Sequence, residues 1–165
     1  MIQDFYSKLY TPQYANFWEI SIATSTRNTA SFDAFAKNIK SVSLPFWKIE
    51  TDTSPIGYKY ITKVTKDTEI TLEFWETMDW KVYRWFKDWQ NLTYDPDTKN
   101  FKTPIEVRNG FLVFKDNNWE FNTKKFLLKG LIIKEISDFD LTYENGEGLV
   151  TKAVITADEV IEATN

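Results

Sequence analysis

Between Glu69 and Gln90 the hydrophobic pattern of the chain changes period. Ile70, Leu72 and Phe74 alternate with Glu69, Thr71 and Glu73, the period of two expected of a strand with one buried face. Beyond Thr77 the spacing lengthens. Val82, Phe86 and Trp89 fall at i, i+4 and i+7, and Tyr83 and Trp85 widen the apolar side. This predicts an amphipathic helix over about 78–91, capped at its start by Thr77 or Asp79 and ended by turn residues at 91–96. An aromatic helix of about three turns does not hold together alone in water. It is expected to lie on a sheet, with Phe74 packed against Val82, Phe86 and Trp89.

The rest of the chain reads as that sheet. Residues 1–15 have no sustained period and carry Pro12, but Ile2, Phe5, Tyr6, Leu9 and Tyr10 are many apolar groups for a solvated tail. The segment is expected to be an arm that docks on a neighbouring subunit. Residues 17–24 alternate as a strand, and a second strand is expected over 32–44, stopped by Pro45. Residues 46–66 read as one projecting hairpin loop. Its segments 47–51 and 58–64 alternate, and Pro55 and Gly57 between them sit where turn chemistry wants them. After the helix, 105–114 is a strand, Asp116-Asn117-Asn118 a tight reversal, and 119–128 the returning strand, with Lys129-Gly130-Leu131 marking its end. Residues 136–143 alternate, Asn145-Gly146 is a hairpin turn pair, and 149–157 completes the last hairpin. The expectation is a mainly β fold, an antiparallel β-sandwich or barrel of about eight strands with one packed α-helix. At 165 residues the length suits a single domain.

Composition mostly excludes. The apolar content of 42% and aromatic content of 17% fill a bulky core. No apolar run is long enough to span a bilayer, and the first ten residues resemble no signal peptide, so synthesis and folding in a cytoplasm are expected. The absence of cysteine and histidine removes disulfides, thiolate chemistry, Ser-His pairs and the common zinc sites. The five glycines fall in none of the phosphate-binding spacings. No enzymatic activity, cofactor or metal is therefore expected. A net charge of −4 also argues against a broad nucleic-acid-binding surface.

Three groupings of side chains remain. Glu69, Glu73, Glu76 and Asp79 form the densest carboxylate group, but Glu69 and Glu73 stand about 13 Å apart along one strand face. That exceeds either glycosidase separation, and a solvated strand face with helix-start acids is the better reading. Asp138, Asp140, Glu144 and Glu147 lack the alternate-position ligands of a calcium loop and read as an acidic hairpin. Seven tryptophans and eight tyrosines suggest a carbohydrate-binding module that stacks on sugars. Trp80, Trp85 and Trp89 are instead expected at the helix, whose inner face needs aromatic residues, while Trp18, Trp47, Trp75 and Trp119 are left unassigned by pattern.

The order of these elements resembles the tail tube proteins of contractile-tailed bacteriophages over nearly the whole chain. The resemblance runs through the arm, the strand NFWEISIA (16–23), the pair Leu44-Pro45, and Pro55 and Gly57 in the projecting segment. It continues through Phe86, Trp89 and Gln90 with Arg84 before them, Lys129-Gly130-Leu131, and the acidic strand pair over 137–158. The aromatic content is richer than the family pattern, and 116–125 and 130–136 follow it loosely, which leaves open the baseplate-proximal tube initiator. The inner tube of a type VI secretion or contractile-toxin machine is the other alternative.

The resemblance implies homohexameric rings stacked into a hollow tube inside a sheath, in a virion tail assembled in the host cytoplasm. The implied partners are copies of the chain itself, the sheath protein, the tube initiator, the tape-measure protein, and DNA in transit without specific binding. Ring stacking is expected to involve Phe5, Tyr6, Trp47, Pro55, Gly57, Tyr58 and Tyr60. Glu50, Asp52, Glu69 and Glu73 are candidates to face the bore, because six acidic copies sum to roughly −24 per ring and repel phosphate. Sheet edges that a lone sandwich would have to protect are paired by a neighbour in such a ring.

Overall fold

The computed structural model describes residues 18–23, 31–116, 118–119, 122–137, 139 and 148–163. The arm at 1–15 with Phe5 and Tyr6, and the acidic turn around Asn145-Gly146, lie outside the described residues, as does most of the strand expected over 136–143. The strands are β1 (Trp18–Ile22), β2 (Ile39–Ser43), β3 (Trp47–Thr53), β4 (Lys59–Lys66), β5 (Glu69–Trp75), the short pair β6 (Tyr94–Asp95) and β7 (Asn100–Phe101), then β8 (Arg108–Lys115), β9 (Asn122–Ile136), β10 (Val150–Thr156) and β11 (Glu159–Ala163). Among the described residues one α-helix, α1 (Lys81–Thr93), follows β5.

Seven strands form an antiparallel sheet in the order β1-β8-β9-β10-β5-β2, with β11 also on β9. The long strand β9 belongs to two layers. Its first half pairs with β8 and β11, and its second half pairs with β10. Gly130 lies where the two halves meet. Its φ of 64° is left-handed, and a Cβ there would come within 2.1 Å of the Asp158 carboxylate. The Asp158 amide donates to the carbonyls of Lys129 at 3.0 Å and Gly130 at 3.3 Å, so the β10–β11 junction turns at the same corner. The expectation that Lys129-Gly130-Leu131 ends a strand is thus corrected. Glycine here bends a continuous strand, and the β11 ladder beyond it had no expected counterpart. The result is a sandwich and not a closed barrel, because among the described residues β1 and β2 each pair on one side only.

The strand expected over 32–44 is also corrected. Residues Phe32–Ala34 and Ala36–Asn38 are 3-10 turns, and only Ile39–Ser43 is extended. Phe32 and Phe35 are spaced by three and both are buried, a spacing that a tight helical turn satisfies and a strand does not. The Ser31 hydroxyl accepts from the Asp33 amide at 3.3 Å and caps the first turn. Strand β8 starts at Arg108, three residues later than the pattern suggests, and β9 starts at Asn122.

The core lies between the layers and under α1. Ile70, Leu72 and Phe74 of β5 point inward. Val82, Trp85, Phe86 and Trp89 of α1 meet them, all buried. Ring centroids of Phe74 and Phe86 are 5.6 Å apart, Phe32 and Trp85 5.3 Å, and Trp85 and Trp89 5.6 Å, in edge or tilted geometries that add to simple area burial. One cation is enclosed here. The Arg108 guanidinium lies 4.7 Å from the Trp85 ring and 4.5 Å from the Trp89 ring, with the Glu106 carboxylate 3.6 Å away. Burial lowers its pKa below the ordinary guanidinium value, and Glu106 opposes that shift.

The helix start is built chiefly by Glu76, one of the expected helix-start acids, beside the expected cap Thr77. Glu76 accepts from the amides of Val82 at 3.1 Å, Tyr83 at 2.9 Å and Thr77 at 2.9 Å, and from the Thr151 hydroxyl. A carboxylate at a helix N-terminus satisfies amides that have no partner within the helix. The Thr77 hydroxyl takes the Lys81 amide at 3.1 Å, whereas Asp79 does not cap and pairs with Lys81 at 3.1 Å. The Asp79 carboxyl is held below 3.8, first by the Thr77 hydroxyl and then by Lys81.

Candidate functional site

Among the described residues, many of the exposed large apolar side chains lie on the β3–β4 hairpin. Its two strands pair, among the described residues, only with each other, and a register shift after Glu50 offsets the outer half by one residue. Opposed residues share a face, so the pairs Ile49–Val64 and Thr51–Ile61 lie on one face and Lys48–Thr65, Glu50–Lys63 and Asp52–Tyr60 on the other. Alternation of this kind buries one face in an ordinary sheet, yet Ile49, Ile61 and Val64 are 59%, 62% and 53% exposed. At the tip, Gly57 (φ 88°) donates to the Ser54 carbonyl at 2.8 Å, and the Tyr58 amide donates to the Ser54 hydroxyl at 3.1 Å. Pro55, Ile56, Gly57, Tyr58 and Tyr60 are all exposed. The backbone of Trp47 opens β3, while its side chain lies outside the described residues.

Among the described residues the hairpin is anchored at its base. The Phe46 ring meets Phe126 at 6.1 Å, and the Lys66 ammonium donates to the Asp158 carbonyl at 3.2 Å. By sequence, 46–66 carries Lys48, Lys59, Lys63 and Lys66 against Glu50 and Asp52. In an acidic chain this segment is locally basic.

The second surface is the open side of the sandwich between β1 and β2. A groove of about 680 Å³ opens there, lined by Trp18, Val42, Leu44, Leu112, Phe114 and Phe126, with Lys40 and Lys124 among its polar residues. Both strands present an unpaired edge beside it among the described residues.

The four carboxylates singled out from the sequence divide between these regions. Glu50 and Asp52 stand on the polar face of the hairpin. Glu69 and Glu73 share the outward face of β5, where Glu69 is ion-paired with Lys134 and Glu73 accepts from the Ser41 hydroxyl at 3.0 Å, opposite Lys152. The Lys134 ammonium is correspondingly raised above 10.5, chiefly by Glu69. The structure therefore does not bring the four into one cluster. Phe74, Val82, Phe86 and Trp89 are together in the core. Among the described residues no group of carboxylates could hold a metal ion, and no helix is long and apolar enough to cross a membrane.

No protein-family model and no curated protein matches the chain. Solved structures do match it. A chain of the PVC sheath-tube complex, an extracellular contractile injection system in its extended state, superposes with a TM-score of 0.62 at 11% identity, over 98% of this chain and 97% of that one. A chain of the PVC sheath/tube terminator gives 0.63 at 11%, covering 94% and 99%. Hcp1 from Flavobacterium johnsoniae gives 0.51 at 11%, covering 90% and 96%. At this identity the likeness is one of fold. The chain has the fold of contractile-injection tube proteins, as the resemblance of its motif order implies.

Proposed function

We propose that this protein is a structural subunit of a contractile tail tube. Six copies form a ring, and rings stack into a hollow tube within a sheath. The observation that carries this reading is the β3–β4 hairpin, an amphipathic two-stranded sheet whose apolar strip has no cover within the described residues. A water-facing strip of Ile49, Ile61 and Val64 is a surface for another protein, and a tube supplies identical copies to cover it. The unpaired edges of β1 and β2 support the same reading, because neighbours in a ring complete them. The fold shared with chains from a sheath-tube complex supports a surrounding sheath.

In this proposal Trp47, Pro55, Gly57, Tyr58 and Tyr60 of the hairpin, with Phe5 and Tyr6 of the arm, form the stacking contacts. Glu50, Asp52, Glu69 and Glu73 face the bore, moderated by Lys63 opposite Glu50 and Lys134 beside Glu69. DNA then passes without binding, repelled by the net negative field of the ring, and the tube initiator and tape-measure protein are the other partners. The particle is a phage tail assembled in the host cytoplasm. The likeness to an extracellular injection system and to Hcp1 favours a second reading, in which the same tube belongs to an injection or secretion machine and carries a different cargo.

Negative-stain microscopy of the purified protein tests the proposal. Rings or hollow rods are the expected result, and a strictly monomeric particle at high concentration overturns it. A monomer whose tryptophan fluorescence shifts with oligosaccharides would point to the sugar-binding module instead. Removing residues 52–59 should leave a folded protein that no longer stacks.

A further inference from the structure

We infer that the outward face of the β2-β5-β10-β9 layer is the wall of the bore, and that its charges offset one another at the surface. This rests on the tube reading above and assigns the face that stays in water there. A subunit of a sheathed tube meets neighbours around the ring, copies above and below, and the sheath. Only its bore side keeps its solvent.

The outward faces of the two layers differ in kind. Opposed residues of paired strands point the same way. Across β2, β5, β10 and β9 this gives the outward row Ser43–Thr71–Val154–Glu135, and beside it Ser41–Glu73–Lys152. Lys134, set out of register by the bulge in β9, pairs with Glu69 on the same face. The few apolar members are shielded. Val154 is 8% exposed, Ile132 is half-buried, and Trp75 at the end of β5 lies under the Lys40 ammonium at 5.0 Å. Among the described residues no other element packs on this face, since α1 and the 3-10 turns lie on its buried side against Phe74.

The β1-β8-β9-β11 layer is the reverse. Its outward face carries the row Phe111–Leu127–Ile161, with Phe111 38% exposed beside the Lys125 ammonium. An apolar row at the surface suits a protein partner, and charged residues are depleted at the centres of protein interfaces. A neighbour or the sheath therefore fits this second face, and water fits the first.

On the first face Glu69, Glu73 and Glu135 stand among Lys134, Lys152 and Lys40, three carboxylates against three ammonium groups in a chain of net charge −4. Glu69 is ion-paired with Lys134, while Glu73 stands opposite Lys152 and accepts from the Ser41 hydroxyl at 3.0 Å. The wall has no continuous run of either sign. The net field of the ring repels phosphate at a distance, and at contact the wall gives a charged cargo no track to bind along.

The chain has no cysteine, so an introduced thiol is unique. Lys152→Cys on β10 and Asp88→Cys on the exposed side of α1 are each labelled with a small thiol-reactive gold cluster, mixed with excess parent protein and assembled. End-on electron micrographs should show the position-152 gold inside the bore and the position-88 gold outside it. Gold from 152 at the outer rim, or gold from 88 in the bore, overturns the inference and leaves the tube reading standing. So does exclusion from parent rings of folded, labelled Lys152→Cys and Thr71→Cys alike, which would make this face an interface. The same cluster carrying amines, added to finished rods, should line the bore of Lys134→Glu/Lys152→Glu protein and not that of the parent. Clusters lined up in parent rods overturn the charge balance, and clusters in neither overturn the wall assignment. Parent protein that never assembles overturns the tube reading as well, and is recognised before any variant is compared.

Discussion

The helix–sheet core and the β3–β4 hairpin use similar apolar residues and treat them in opposite ways. In the core, Phe74, Val82, Phe86 and Trp89 are wholly removed from water, with aromatic rings meeting in tilted or edge-to-face pairs. In the hairpin, Ile49, Ile61 and Val64 alternate as regularly as any strand in the sheet, yet more than half of each remains in solvent. The cations divide likewise. Arg108 is enclosed between two indoles with one carboxylate nearby, whereas the hairpin lysines at 48, 59, 63 and 66 are exposed. The core stabilises the single chain, whereas the hairpin strip has no cover among the described residues, and in the proposed tube a second chain supplies it.

Substitutions can break that contrast or sharpen it. The largest effect is expected of Trp89→Ala, which opens a cavity under α1 and should cost about 3–5 kcal/mol, read by urea unfolding. Glu106→Gln removes the carboxylate beside a buried guanidinium and should cost about 3 kcal/mol. Arg108→Met, which removes the charge and keeps an apolar stem between Trp85 and Trp89, should cost less in the same experiment. Glu76→Ala uncaps the amides of Val82 and Tyr83 and should cost about 1–2 kcal/mol, with a matching loss of helical signal in thermal scans. The smallest effect is expected in the hairpin, where Ile61→Ala should change unfolding by no more than about 0.5 kcal/mol while weakening rod formation in sedimentation. Equal unfolding costs for Trp89→Ala and Ile61→Ala would show that the hairpin belongs to the monomer's own core.

Much of the architecture was legible because it depends on short-range periodicity. The alternation in β5 and the i, i+4, i+7 spacing of Val82, Phe86 and Trp89 fix which side of each element is apolar, and side-chain geometry then fixes which face turns inward. The turn at Pro55 and Gly57 was legible for a similar reason, as local backbone chemistry sets it. Features that depend on remote contacts were not. Phe32 and Phe35 form a tight helical turn because Phe74, Trp85 and Phe86 surround them, and nothing within 32–44 shows those neighbours. Gly130 reads as a stop until Asp158, far along the chain, is seen filling the space a side chain would need. Glu76 reads as one acid among several until the chain folds back and gives it three amides and a hydroxyl.

The sequence by itself determined the element types, the amphipathic faces and the exclusion of histidine and cysteine chemistry, since each follows from residue identity and spacing over a few positions. Only the tertiary structure decided which apolar faces meet and which are left over. Burial depends on what the rest of the chain places opposite a face, and for Ile49, Ile61 and Val64 the described residues place nothing there.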